Sequence, residues 1–376
     1  MKERIYLDHN ATTPVAPAVA AAMCQFLSEG YGNASSLHWA GLPARVAIEK
    51  ARSQVASLLG CDPLEMVFTS GGTEANNAAI KGLFFARHAS ASGPFHVITS
   101  QVEHPAVLEP CAFLETLGAQ VTRVPVDRFG MVDPDDVRRT IRPETALVSV
   151  MHANNEVGTI QPIREIAAIA RDHELVFHTD AAQTVGKVPV DVESLGVDLL
   201  SVAGHKLYGP KGVGALYVRK GIRLVPLLHG AGHEAGRRAG TENILEIVGL
   251  GAACELAREY INDDRITHLR DDFWSSIQAR LGDRVTLNGH PTHRLPNTLS
   301  VSFSGHTGME LLAKMPGVAA STGSACHSGS THISPVLEAM KTPLEQAFGT
   351  IRFSAGRTTT PDEIESVVDL LARYCA

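Results

Sequence analysis

The sequence predicts an α/β fold in which a mostly parallel central sheet is covered by helices, with a smaller α+β domain at the C-terminal end. Three observations carry this expectation. Strand-like apolar runs (FHVITS, ALVSVM, LVFHTD, DLLSVA) alternate with helical patterns such as IREIAAIARDH, and strand–helix–strand repetition marks parallel strands joined by crossovers. The length, 376 residues, suffices for two or three domains with large cores. Two neighbouring runs, LVFHTD and DLLSVAGHK, each end in a charged residue, Asp180 and Lys206. In an open α/β sheet, ligands sit outside the carboxyl ends of the strands.

The elements follow in order. IYLDHNATTPVAP reads as a short strand and a Pro-punctuated loop, and GYGNASSLHWAG as a long Gly/Asn/Ser loop. A helix is expected over 43–59, with Pro43 in its first turn and Gly60 just past its end. EMVFTSGGTEANNAAIKGLFF reads strand, Gly-Gly turn, helix. Backbone N–H groups at such a helix start form an anion cradle, so Gly71, Gly72 and Thr73 are candidate phosphate holders. FHVITS ends near His104, which stands before Pro105. QVTRVPVD is a strand, DPDDVRRTI a helix, and ALVSVMHANNEVG a strand ending in paired asparagines. After Lys206, GVGALYVRK and RLVPLLHG read as two further strands, and HGAGHEAGRRAGTEN as irregular. Helical segments at 243–263 and in DDRITHLRDDFWSSIQARLGD lead away from the sheet. They place a large domain over 15–255 and a small one over 256–376, with the packing of residues 1–14 left open.

Composition narrows the class. Hydrophobic residues make up 44% and charged residues 19%, an ordinary soluble profile. A net charge of −7 argues against a dedicated nucleic-acid surface. No apolar run approaches membrane-spanning length, and no cationic-plus-apolar signal precedes YLDHN, which argues against secretion. The six cysteines are scattered, without a C-x-x-C pair; a reducing cytoplasm is the simplest reading.

Asp180 and Lys206 suggest a chemistry. A lysine attacks an aldehyde only when neutral, and burial depresses its pKa toward that state. A carboxylate opposite the nitrogen of a pyridine ring keeps that nitrogen protonated and the ring electron-withdrawing. Together they meet the requirement of pyridoxal 5'-phosphate (PLP). Taken singly, a lysine at a strand end is usually a surface charge and an Asp after a strand a turn residue. His178, Gln183 and His205 shift the balance, because they add polar groups to segments apolar enough to be buried. Cys326 stands apart from the other cysteines. Its run, ASTGSACHSGSTHISPVL, is small and polar, offers no apolar wall, and predicts a mobile loop.

HTDAAQ followed by GHKLYGPKGVGAL, with STGSAC downstream, resembles the cysteine desulfurases of the class-V aminotransferase superfamily, along nearly the whole chain from YLDHNATTP to IRFSAGRTT. The resemblance implies PLP-dependent transferase fold type I. It also implies PLP bound by Gly72, Thr73, His104, Asn155, Asp180, Gln183, Ala203, His205 and Lys206, with Thr241 reaching the cofactor of a neighbouring subunit. Lys206, His104 and Cys326 are the implied catalytic residues: Lys206 carries PLP and removes a proton, His104 stacks on the ring and moves protons, and the Cys326 thiolate accepts sulfur. Arg352 clamps the substrate carboxylate, ahead of Arg357, with Asn33 and Asn155 beside the substrate. Ala203 replaces a phosphate-binding Ser found in many members, which implies weaker phosphate anchoring. The implied reaction converts L-cysteine to L-alanine and passes sulfur, as a Cys326 persulfide, to an acceptor protein such as an Fe–S scaffold. A cytoplasmic homodimer is implied, with no direct nucleic-acid or membrane partner. No firm metal site is read, although Cys326 is a candidate Fe–S ligand. The ACHS sequence also resembles selenocysteine lyases, the alternative reading. An ordinary aminotransferase would have no use for Cys326, and a non-catalytic sulfur carrier would form no covalent link to PLP.

Overall fold

The computed structural model describes residues 4–90, 93–327 and 330–375, with side chains at all of these except 89, 90, 324–327 and 330–332. In chain order the strands are β1 (Ile5–Tyr6), β2 (Met66–Thr69), β3 (His96–Ser100), β4 (Gln120–Val124), β5 (Thr145–Ser149), β6 (Val176–Asp180), β7 (Leu199–Ala203) and β8 (Gly214–Val218), followed by β9 (Val285–Asn288), β10 (Thr298–Phe303), β11 (Val318–Ala319), β12 (Ser321–Thr322), β13 (Ser324–His327), β14 (Ser330–Ile333) and β15 (Thr350–Ser354).

The central sheet has the order β2-β8-β7-β6-β5-β3-β4. Its pairings from β7 through β4 are parallel, and β8 runs antiparallel to both neighbours. Every residue of β2, β3, β5, β6, β7 and β8 is buried. Strands covered on both faces by crossover helices need continuous apolar composition rather than alternation, which is why runs such as LVFHTD and DLLSVA are readable. Helices Gly41–Leu59 and Ile244–Ala257 pack together over one face, around Ile48, Val55, Leu250 and Cys254. Gly72–Ser90 and Pro105–Glu115 cover the other, around Ile80, Phe84, Val107 and Leu114.

Buried histidines tie the strands together. His178 bonds Ser149 at 2.8 Å through Nδ1 and Ser201 at 3.0 Å through Nε2, joining β5, β6 and β7. His96 does the same for β5, β3 and β4 through Thr145 and Thr122, both at 2.8 Å. Burial pushes the His178 pKa to about 3 and the His96 pKa to about 4, so both act as neutral pegs. The His178 peg sets the relative height of β6 and β7, and so of Asp180 and Lys206.

A second sheet, β12-β15-β10-β9, is antiparallel. It packs under helices Arg265–Leu281 and Pro361–Cys375 with a core of its own, including Phe273, Ile277, Val301, Phe303, Ile351, Phe353 and Leu371. The opening residues belong to this core: Ile5 and Leu7 are buried in it, β1 pairs with β11, and Ser354 N–H donates to Leu7 O at 2.7 Å. The chain then crosses to the large sheet, where Thr13 N–H donates to His205 O at 3.0 Å. Residues 8–13 therefore seam the two sheets beside Lys206.

Two expectations change. RLVPLLHG is not a strand; its Val225 N–H donates to Gly82 O of helix Gly72–Ser90, and Pro226 lacks a donor for a ladder. The Cys326 region, expected as an irregular loop, contains the hairpin β13–β14, in which Cys326 pairs with Thr331. The helix expected at 43–59 begins at Gly41 and ends against Gly60 in the left-handed region (φ 70°). No helix among the described residues is long and apolar enough to cross a membrane.

Candidate active site

A cavity of about 400 Å³ opens at the carboxyl ends of β5, β6 and β7, within the size range of small cofactor sites. It gathers Gly72, Thr73, His104, Asn155, Asp180, Gln183, Ala203, His205, Lys206 and Arg352 from segments far apart in sequence. Asn33 and Thr241 do not line it. Asn33 lies on an exposed loop, where its side chain accepts from Ser35 N–H. Thr241 lines a separate cavity of about 160 Å³ with Ser70 and Arg238. Arg357 also lies elsewhere, its guanidinium 4.2 Å from the ring centroids of both Tyr208 and Tyr260. Cys326 is placed by its backbone on β13; its side chain lies outside the described residues.

Lys206 ends a 3-10 turn, Gly204–Lys206, that continues β7. Its amine donates to Asn10 O at 2.5 Å and to Ala11 O at 2.8 Å. Burial pushes its pKa down, Arg352 pushes further, and Asp180 and Asp8 pull back, leaving it at about 8. For a cation, a lowered pKa means more neutral amine: roughly a tenth at pH 7, against well under a thousandth for an ordinary lysine. Labelling of Lys206 in the cofactor-free protein by an amine-directed aldehyde should rise with pH through a midpoint near 8. A midpoint above 10 would remove this account of its reactivity.

Asp180 closes β6 and is buried. Asn76 Nδ2 donates to its Oδ2 at 2.6 Å, and Ala182 N–H donates to its Oδ1 at 2.9 Å, so both oxygens are held as acceptors. His104 caps helix Pro105–Glu115: its Nδ1 accepts from Ala106 N–H at 3.0 Å. That bond places the proton of the neutral ring on Nε2. Burial lowers the His104 pKa, Asp180 counters this, and Lys206 reinforces it. Glu103 sits behind, fully buried. It accepts from Ser100 Oγ at 2.6 Å and from Met151 N–H at 2.9 Å, tying the end of β3 to the end of β5. Burial raises its pKa to about 8, and Asp180 adds to the rise.

Helix Gly72–Ser90 points its N-terminus into the cavity. A Cβ at Gly72 would lie 3.2 Å from Ala203 Cβ, so glycine lets the helix start approach the end of β7. Arg352, on β15, donates to Asp8 Oδ1 at 2.7 Å, Ser321 Oγ at 2.9 Å and Asn155 O at 2.9 Å. Its Nε is buried with no hydrogen-bond partner among the described residues. Three of its five N–H groups are spent on these partners, and a guanidinium so held with two donors left is suited to an incoming carboxylate.

These residues fit PLP. Lys206 would supply the amine for its aldehyde, Asp180 the carboxylate for its ring nitrogen, and the amides at Gly72 and Thr73 a cradle for its phosphate. Sequence reading missed Asp8, Asn10, Asn76 and Glu103. The first two lie in the quoted YLDHNATTP motif, which was the available signal.

Residues 5–367 match the family model described as aminotransferase class-V. The chain is 51% identical to cysteine desulfurase IscS of Dictyoglomus turgidum over 99% of this chain and 95% of that one. It is 47% identical to cysteine desulfurase IscS of Methanosarcina thermophila over 98% and 91%. A solved NifS-like protein superposes with a TM-score of 0.91 at 38% identity, covering 99% of both chains. A solved SspA in complex with cysteine superposes with a TM-score of 0.83 at 39% identity, covering 93% of this chain and 98% of that one.

Proposed function

The chain belongs to the class-V aminotransferase family and, within it, to the cysteine desulfurases, and we propose that it converts L-cysteine to L-alanine while a persulfide forms on Cys326. The observation that carries this reading is the meeting of Lys206, Asp180 and Arg352 in one cavity, in a chain whose β13 bears Cys326. PLP, the cofactor of the family, supplies when bound an electron-withdrawing ring that takes up charge from the substrate Cα.

The chain's own residues do the rest. Arg352 holds the substrate carboxylate, with Asp8 and Ser321 fixing the guanidinium. Lys206 Nζ takes the proton from the substrate Cα, for which a pKa near 8 suits it. Asp180, its two oxygens held by Asn76 and Ala182 N–H, would pair with the ring nitrogen of the bound cofactor, and His104 Nε2–H would donate into the cavity. Cys326 Sγ, as thiolate, attacks the substrate sulfur. The new S–S bond forms as the Cβ–S bond breaks; the electron pair stays with the carbon fragment, which takes up a proton to leave as alanine. The relatives' names favour cysteine over selenocysteine as substrate. The test is incubation of the PLP-loaded protein with L-cysteine: alanine and enzyme-bound sulfur should appear in equal amounts in the first turnover. Alanine without bound sulfur, or pyruvate instead of alanine, would reject the reading.

Arg352→Lys is expected to raise KM for cysteine about 10- to 100-fold with PLP content unchanged, because a point charge replaces a two-pronged donor. Steady-state kinetics alongside cofactor absorbance checks this, and an unchanged KM would assign the clamp elsewhere.

We further infer a homodimer. Leu37, Trp39, Val46 and Leu64 are 69% exposed or more, and Leu64 lines one cavity with Ala34, Ser35 and Arg45. An exposed apolar group of this kind is suited to burial by a second copy, which would also bring a use for Thr241 and Asn33. Sedimentation equilibrium reads the state. Two domains, 15–255 and 256–376, are supported by the distinct cores under the two sheets, with a smaller cluster of Val102, Met151 and Val157 against Val336, Leu337 and Met340 joining them. The acceptor is read as an Fe–S scaffold or thiolation protein, in keeping with the IscS relatives, and a cytoplasmic setting is supported by the scattered cysteines.

A further inference from the structure

Behind the cavity lies a second lysine that the reaction does not use. Lys187 donates from Nζ to Gln183 Oε1 at 2.7 Å and to Asn10 Oδ1 at 3.1 Å. Gln183 Nε2 in turn donates to Asn10 O at 2.9 Å, the same oxygen that receives Lys206 Nζ at 2.5 Å. The amide of Asn10 is fixed as well. Its Oδ1 also accepts from Asn297 at 3.0 Å, and its Nδ2 donates to Thr298 Oγ1 at 2.8 Å and Asn155 O at 3.1 Å.

Donor and acceptor chemistry allows one orientation of the Gln183 amide. A backbone carbonyl only accepts, so the edge facing Asn10 O must be the NH2 group. With that edge fixed by Asn10 O, the oxygen is left facing Lys187, whose amine donates to it. Asn10 O and Lys187 hold this orientation from two sides, and a flipped amide would lose both bonds. Lys187 has no carboxylate bonded to it among the described residues. Burial lowers its pKa well below the ordinary lysine value, and Lys206 and Arg352 lower it further. Of the other titratable groups around it, His9 and His205 are both held near 4 and neutral, and Tyr208, Tyr260, Asp263 and Arg357 line the small cavity that Lys187 borders. An amine kept in so unfavourable a place, with two amide oxygens as partners, has its role in those amides.

We propose that Lys187 is a positioning residue that locks the Gln183 amide with its NH2 edge beside the Lys206 amine, as a fixed donor to the ring oxygen of bound PLP. The inference rests on the PLP reading and goes beyond it. A donor aimed at that oxygen stabilises the cofactor form that has lost its proton, so losing the donor makes the proton harder to remove.

The experiment is a pH titration of bound-cofactor absorbance, with folding followed by circular dichroism. Lys187→Met should raise the titration midpoint by about one pH unit and speed cofactor loss on dilution. Lys187→Arg, which keeps a donor, should return the midpoint toward the native value. In a Gln183→Leu background, Lys187→Met should move the midpoint little further, because both changes remove the same bond. If Lys187→Met does not fold, Lys187→Gln takes its place with the same expected rise, its shorter amide ending short of Gln183. A midpoint that stays at the native value, or that moves equally with and without Gln183, overturns the proposal and leaves the cofactor reading intact. A native chain that takes up no PLP overturns both.

Discussion

Lys206→Ala should abolish desulfuration, with a loss on the order of 10⁴-fold or more, the scale of removing a group that acts covalently. Borohydride treatment of the PLP-loaded native protein should fix the cofactor to Lys206; the variant should carry none. The geometry leaves no stand-in. Lys187 is held behind Gln183 and Asn10 with its amine committed to their oxygens, and the remaining cavity donors are amides, imidazoles, the Thr73 hydroxyl and Arg352. Lys206→Arg separates charge from nucleophilicity: a guanidinium keeps the positive charge but stays protonated across the working range, so it should be as inactive as alanine. Partial rescue of the alanine variant by a small exogenous amine would place the deficit at the missing amine rather than in the fold. Activity retained by either variant would displace Lys206 from its role.

Much of this site was legible because its residues stand at punctuation points. Asp180 and Lys206 close buried strands, His104 precedes a helix-starting proline, and Gly72 opens a helix after a strand. In each case a local pattern fixes position, and the position fixes the direction of the side chain. Other parts depend on closure over long distances, which no local pattern records. Asn10 meets Lys206 across 196 residues, and Asp8 meets Arg352 across 344. The pairings exist only because β1 adds to the C-terminal core while the following residues cross to the large sheet. Glu103 and Lys187 were passed over for a different reason: a charged residue in mid-sequence reads as solvated, and only the fold reveals that each is enclosed and bonded to neutral partners. RLVPLLHG misled in the opposite direction, since its apolar content serves packing against helix Gly72–Ser90 without any ladder of hydrogen bonds.

Cys326→Ser should eliminate transfer of sulfur from cysteine, by on the order of 10³-fold or more, while PLP uptake and the absorbance change on adding cysteine remain. In the proposed mechanism the two halves of the chemistry fall to different sheets. Lys206, Asp180 and Gly72 line the cavity at the β5, β6 and β7 ends and the start of helix Gly72–Ser90. Cys326 is placed by its backbone on β13, in a hairpin that pairs with neither large sheet. The residues proposed to hold PLP are therefore unchanged by the substitution. A hydroxyl cannot replace the thiolate: it is almost wholly protonated near neutral pH, and oxygen is a poor nucleophile toward divalent sulfur, so the Cβ–S bond of the substrate stays intact. Mass spectrometry of the native protein after one turnover should find one added sulfur on the peptide containing Cys326 and none on peptides containing Cys24, Cys61, Cys111, Cys254 or Cys375. Those five differ in kind. Burial pushes Cys61 and Cys111 up to about 12, and Cys254 and Cys375 upward too, while Cys24 is exposed on the helix Pro17–Cys24. Sulfur found on Cys24, or full transfer by the serine variant, would move the acceptor thiol off β13 and break the link between that hairpin and the reaction.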